Sequence, residues 1–264
     1  MQRLDIHYCI VWESWWHAGS GFGTAATDRL VQRLGGLTGI PFIPGSHVKG
    51  VLRHTCERLA ATLGLDCIAP HATTPEQQQK LVEHFRPLAA SQLVVDRLFG
   101  SRFQGECLFV SHALPLGLRN ANPDPEPRTI RFSPARTTTR SRTSIDRATR
   151  TVREGHLFST EITDVQHCLE GEIRARHAPE LLTQYEESVP YEYGLLVLAL
   201  LSIDRLGGDK SLGMGRCRIQ ITDLEWQQRK ITVEECVGPL SQLAAFSPQE
   251  VTEWLEGLRQ EKQP

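Results

Sequence analysis

The chain has no stretch approaching the roughly 18 to 20 consecutive apolar residues that a membrane-spanning helix needs. Its longest obvious apolar run is the seven residues Leu195 to Leu201, which reads as a core element. The start, Met1-Gln2-Arg3-Leu4-Asp5, lacks a basic region followed by a long apolar one, so nothing argues for export and the expected location is the cytoplasm. The seven cysteines are odd in number and contain no CxxC pair, which disfavours a disulfide framework and fits buried thiols in a reducing compartment. No internal repeat is found. Strong net charge is also missing: the formal value is only -2 over 264 residues, so the whole-chain balance does not point to a polyanionic partner.

What is present is a chain of 40% hydrophobic and 23% charged residues, able to bury the core of one large domain or two small ones. The charge is unevenly spread. Between Arg128 and Arg153 eight arginines face a single acid, Asp146, a local +7 that leaves -9 for the rest. A block rich in arginine and hydroxyl residues cannot form a core of its own. It is expected to project as a loop or hairpin and to attract a polyanion, the alternative being a solvated basic loop.

Residues 3 to 12 form a β-rich run, read as the first strand. The glycine-rich segment His17-Ala18-Gly19-Ser20-Gly21-Phe22-Gly23-Thr24 follows and leads to Asp28. Next comes Ile43-Pro44-Gly45-Ser46, a rigid turn in which Ser46 is placed to cap a helix running to about Leu63, with Val48, Val51, Leu52, Cys56, Leu59 and Leu63 on its apolar side. Residues 64 to 97 read as an insertion with a short helix around Gln77 to Phe85. Strands are expected over Gly105 to Pro115 and, in two pieces, over Gly155 to Ala175. An apolar helix is expected over Tyr191 to Leu206, then the loop Gly207 to Arg216 and a strand through Leu224. The order β, helix, β, β, helix, β predicts an α+β, ferredoxin-like domain over residues 1 to 224. Residues 225 to 264 read as an extension with an amphipathic helix from Ser247 to Glu261.

Two segments go beyond periodicity. Ile43-Pro44-Gly45-Ser46-His47-Val48-Lys49-Gly50-Val51-Leu52-Arg53 resembles the IPGSSxKGxxR signature of repeat-associated mysterious proteins (RAMPs) in type III CRISPR complexes. Gly207 to Arg216 resembles that superfamily's carboxy-terminal GGxxxxGxGR loop. Three further stretches resemble the subunit that repeats along the guide RNA in those complexes. They are His17-x-Gly19, Leu98-Phe99-Gly100 and Ile145-Asp146-Arg147, the last in a protruding thumb-like hairpin.

The resemblance implies an RNA-binding subunit whose partners are guide RNA, target RNA, other RAMP subunits and the large and small subunits of the effector complex, with no membrane. Glycine-loop and helix-start amides bind phosphate without reading sequence. The implied RNA contacts are His17, Gly19, Ser46, His47, Lys49, Arg53, Arg136, Arg140, Arg142, Arg147, Gly207, Gly208, Lys210, Gly213, Gly215 and Arg216, although His47 departs from the small residue usual in relatives. It also implies a catalytic carboxylate, and Asp28, twelve residues before Ile40, occupies the matching place. Such a group would hold magnesium or another divalent cation, or orient a ribose 2′-hydroxyl for in-line attack.

A structural zinc in the insertion is a weaker expectation: Cys56, Cys67, His71 and His84 match no standard spacing. Two alternatives stay open, a non-catalytic structural or capping subunit of the same complex, and a stand-alone endoribonuclease that processes precursor guide RNA.

Overall fold

The computed structural model describes residues 3–36, 39–63, 94–100, 105–116, 136–166, 168–176 and 189–243. Strand β1 (Arg3–Trp12) is the middle of an antiparallel sheet. Two-residue strands β2 (Arg33–Leu34) and β3 (Ile40–Pro41) pair with each other beside it. The main sheet is completed by β4 (Leu108–Val110), β5 (Leu114–Pro115), β8 (Leu169–Arg176), β9 (Cys217–Trp226) and β10 (Arg229–Lys230), in the order β10-β9-β1-β8-β4, with β5 also on β8. Successive strand side chains alternate between faces. Leu4, Ile6, Tyr8 and Ile10 therefore share one side of β1, and all are fully buried.

Four helices join that buried side in one apolar cluster: α1 (Gly45–Thr62), α2 (Val94–Phe99), α3 (Tyr191–Leu201) and α4 (Val233–Leu243). On α1 the buried Val48, Leu52, Cys56 and Ala60 recur every four residues, the spacing of one helix face. Burying Val48 and Leu52 stabilises the fold by roughly 1.5–3 kcal/mol each. Helix α3 is buried on nearly all sides, and a Cβ added at Gly194 would lie 2.7 Å from the Cys236 carbonyl of α4, so only glycine lets the two helices approach this closely. Among the described residues no helix is long and apolar enough to cross a membrane.

The arginine block is ordered, from Arg136 onward, as a separate two-stranded hairpin of β6 (Thr137–Ile145) and β7 (Val152–Thr163). Arg128 and Arg131 lie outside the described residues.

Several expectations are corrected. Helix α3 stops at Leu201, five residues early, because Leu206 leaves the helix to donate its amide to the Gly215 carbonyl, closing the glycine loop. Val94 to Arg97, assigned to the insertion, form the buried start of α2. The residue at the α1 amino cap is Pro44 with no side-chain cap bond, and Ser46 sits exposed in the first turn. Helix α4 was not foreseen, although Thr232 and Glu235 form a reciprocal capping box that the sequence displays: each side chain accepts the other's amide, at 3.1 and 2.9 Å. The helices expected at Gln77 to Phe85 and Ser247 to Glu261 lie outside the described residues.

Candidate nucleic-acid interface

The loop after β1 returns to the foot of the hairpin and joins it through an isolated parallel bridge, Arg29 to Thr160. The Arg29 amide donates to the Ser159 carbonyl (3.1 Å), and the Glu161 amide donates to the Arg29 carbonyl (2.9 Å). That pairing positions Asp28, whose Oδ2 accepts both the amide (2.6 Å) and the hydroxyl (2.8 Å) of Ser159. The Ser159 amide first, and then its hydroxyl, hold the exposed Asp28 carboxyl below the usual carboxylate range. The segment is braced by Glu161, which accepts the Val31 amide and pairs with Arg33; these contacts keep Glu161 ionised against the opposing effect of its partial burial.

The two histidines expected at the RNA are built into the protein instead. His17 is 1% exposed. Its Nδ1 donates to the Glu161 carbonyl (2.7 Å), and among the described residues its buried Nε2 has no hydrogen-bond partner. Burial outweighs that carbonyl contact and lowers the His17 pKa. The His-x-Gly spacing has a steric cause: a Cβ at Gly19 would lie 3.1 Å from His17 Nε2. The Nε2 of His47 accepts the Gly207 amide (2.9 Å), and burial, helped by the charge of Lys210, lowers its pKa.

The glycine loop is likewise committed to the protein. The amides of Gly208, Gly213 and Gly215 donate to the carbonyls of His17 (2.7 Å), Lys210 (3.2 Å) and Trp15 (2.8 Å). With Gly207 given to His47, the amides of all four glycines of this loop are already used. Sterics account for these glycines: Gly207 and Gly215 have φ of +94° and +75°, and a Cβ on either would strike the backbone oxygen of His17 or Leu206.

Because His47 must be neutral to accept from Gly207, and both histidines have lowered pKa values, the unfolded chain takes up protons near the ordinary value of about 6.5 that the folded chain refuses. Stability is therefore expected to fall as pH drops below that value. Thermal denaturation at about pH 7.5 and about pH 5.5 measures this loss, and His47→Gln, which keeps a neutral acceptor, is expected to shrink it.

The cations divide into two groups. Arg53 is spent on structure, bonded to Glu57 (2.9 Å), Asp96 (3.0 Å) and the Gly100 carbonyl (3.1 Å), and Lys49 pairs with Glu106. Arg216 pairs with Glu13 (2.9 Å) while staying largely exposed. Arg136, Arg140 and Arg147 are exposed on the hairpin, and Lys210 is half-buried on the loop; among the described residues none of these four makes an ion pair. The hairpin also exposes Ile145, Val152, Leu157 and Phe158.

Three residues missed in the sequence, Asp209, Arg29 and Ser159, tie this region together. Asp209, at φ +55° in the glycine loop, receives Arg29 Nη1 on Oδ1 and Arg142 Nη1 on Oδ2, each at 3.0 Å. Partial burial raises the Asp209 pKa, but the two arginines outweigh it and the net direction is down. The third is Ser159, which lies 131 positions from Asp28 and had no sequence signal. Asp209 had one, as the single acid inside the glycine motif.

Among the described residues no group of three or more His, Cys, Asp or Glu side chains could hold a metal ion. A divalent cation at Asp28 would have one protein carboxylate, which suits magnesium, since that ion keeps several waters and takes its remaining ligands from phosphate. Of the zinc candidates Cys56 is buried in the apolar face of α1, and Cys67, His71 and His84 lie outside the described residues.

A comparison with curated proteins finds no match. Among the solved structures that match, two illustrate the shared fold. One is a cryo-EM structure of the type III-B Cmr-beta bound to cognate target RNA, where the matched chain is 12% identical with a TM-score of 0.50, covering 82% of this chain and 96% of that one. The other is the apo state of type III-B Cmr-beta, also 12% identical at a TM-score of 0.50, covering 83% and 97%. A family model described as the RAMP superfamily matches residues 13–218, which take in the His-x-Gly loop, Asp28, the Ile43 to Arg53 turn, the hairpin and the glycine loop, and the chain belongs to the RAMP superfamily.

Proposed function

We propose that the chain is a subunit of a cytoplasmic type III CRISPR effector complex, that it binds guide RNA along the phosphate backbone, and that Asp28 takes part in cutting target RNA. The observation that carries this reading is the placement of Asp28: an ionised, exposed carboxylate fixed by Ser159 at the foot of an arginine-rich hairpin. The strand order β9-β1-β8-β4, with α1 and α3 joining these strands in one core, supports a ferredoxin-like domain. The projecting β6–β7 pair supports a thumb. Both Cmr-beta structures are type III-B, one of them holding target RNA, and this fold likeness supports RNA and neighbouring subunits as partners.

The chemistry divides between the hairpin and the loop. Exposed arginines attract and hold phosphates without reading bases, while exposed Leu157 and Phe158 offer apolar surface to unstacked bases. Asp28 orients the attacking 2′-hydroxyl or holds a divalent ion, which when bound supplies charge stabilisation at the phosphate. The competing reading, a structural or capping subunit, uses the same contact, since an aspartate bonded to a serine amide also anchors a loop.

Two measurements test the proposal. The complex purified from its host is expected to carry short RNAs sharing a constant 5′ repeat tag, and a particle without oligonucleotide defeats it. On the isolated chain, replacing Arg136, Arg140 and Arg147 together by Glu is expected to weaken binding of a single-stranded RNA by at least about tenfold at low salt, and to flatten the log affinity against log salt plot by roughly 0.7 per lost contact.

A further inference from the structure

We propose that Arg29 and Arg142 form a seat for one phosphodiester of bound RNA, and that the Asp209 carboxylate is a resident stand-in anion that leaves the seat when the strand arrives. The inference rests on the RNA-binding reading and adds a site to it. Arg29 comes from the loop after β1 and Arg142 from β6, 113 positions apart in the chain, yet each gives one Nη1 to a different oxygen of the same carboxylate at 3.0 Å.

A phosphodiester presents the same face to such a pair: two equivalent terminal oxygens sharing a single negative charge. Exchange therefore conserves the local charge balance, with one anion between two guanidinium groups before and after. The freed carboxylate returns to water.

Three observations favour exchange over a permanent latch. The seat opens to solvent, with the Arg29 side chain 49% and Arg142 26% exposed around a carboxylate at 12%. The glycine amides that would otherwise cradle a phosphate are spent on His47, His17, Lys210 and Trp15, so the loop's glycines do not supply the seat and the two guanidinium groups do. Cations also continue on both sides: Arg140, two residues before Arg142 on the same face of β6, is exposed, and Lys210 follows Asp209 directly. Arg29 and Asp28 are adjacent, so a phosphate held here brings the strand past the proposed catalytic carboxylate.

The test uses the purified full-length chain and a fluorescein-labelled oligouridylate, with anisotropy followed over a salt series. Asp209→Asn keeps the shape but gives up the charge. It is expected to raise affinity by roughly fivefold, because an anion already in the seat reduces apparent affinity by the fraction of time it is there. The control Asp204→Asn, a nearby exposed acid outside the seat, is expected to change affinity by less than about twofold. Arg29→Gln and Arg142→Gln are each expected to weaken binding and to lower the salt slope by roughly 0.7.

Unchanged or weaker binding by Asp209→Asn, or an equal gain in Asp204→Asn, overturns the exchange. Should Asp209→Asn loosen the loop, as a lowered melting temperature would reveal, Arg29→Gln decides, and wild-type affinity and slope in that chain overturn the seat. Failure of the unaltered chain to bind overturns the RNA reading and the seat with it.

Discussion

Replacing Asp28 by Ala in the reconstituted complex is expected to lower target-RNA cleavage by at least about a hundredfold while guide RNA stays bound, since a positioned acid-base or metal-holding group typically contributes that much or more. The carboxylate is exposed and its removal opens no cavity, so an unchanged melting temperature with guide RNA still bound would assign the loss to chemistry rather than to the loop that Asp28 anchors. Ser159 provides an independent check. Its hydroxyl and amide meet on Asp28 Oδ2, and the hydroxyl also accepts the Asp28 amide at 3.0 Å, so Ser159→Ala removes both hydroxyl contacts with Asp28 and keeps the bond from the Ser159 amide. A loss of about tenfold is expected, because misplacing a reacting group by a fraction of an ångström already slows the reaction.

The pH profile separates this from a merely structural role. Asp28 is active when ionised, so activity falls as pH drops through its pKa. Ser159 holds that pKa down, and its hydroxyl is the second contributor after the amide. In Ser159→Ala the acid limb of cleavage is therefore expected to move to higher pH. Full cleavage by the Asp28→Ala complex would instead support the structural or capping reading.

Gly215→Ala is expected to destabilise the chain by about 3 kcal/mol, lowering the melting temperature by roughly 10 °C. Gly215 has φ +75°, where a side chain is strained, and a Cβ there would lie 2.0 Å from the Leu206 carbonyl oxygen. That oxygen belongs to the same short bridge, Leu206 to Gly215, which closes the glycine loop, so there is nowhere for the clash to relax without opening it. RNA affinity is expected to fall along with stability, because the same loop carries the cation Lys210 beside the seat. Gly213→Ala is the useful contrast: it has φ +80° but no atom within 4 Å of an added Cβ, so it carries the strain without the collision and is expected to cost less. Denaturation of the two variants side by side measures the difference.

The alternation in β1 and the four-residue spacing of α1 were legible because each reports a local periodicity, which sequence displays directly. The Ile43 to Arg53 turn and the Gly207 to Arg216 loop marked two elements of the site for a similar reason, since turns demand particular residue types at particular positions. The roles of these residues were read less well. Arg53 resembled a phosphate ligand but serves Glu57, Asp96 and Gly100, and the end of α3 was hidden because Asp204 to Leu206 continue a helical pattern that loop closure interrupts.

Composition and order along the chain thus sufficed for a mixed class of helices and antiparallel sheet and for the segregation of arginine into one hairpin, whereas Asp28 was marked only by the family resemblance. The assignment of amides and charges to partners required the folded chain. Ser159 meets Asp28 across 131 positions, Arg29 meets Asp209 across 180, and His47 meets Gly207 across 160. Hydrogen bonds and ion pairs act over about 3 Å of space irrespective of sequence distance, so whether an amide or a guanidinium is free for a phosphate is settled only when packing has chosen its neighbours.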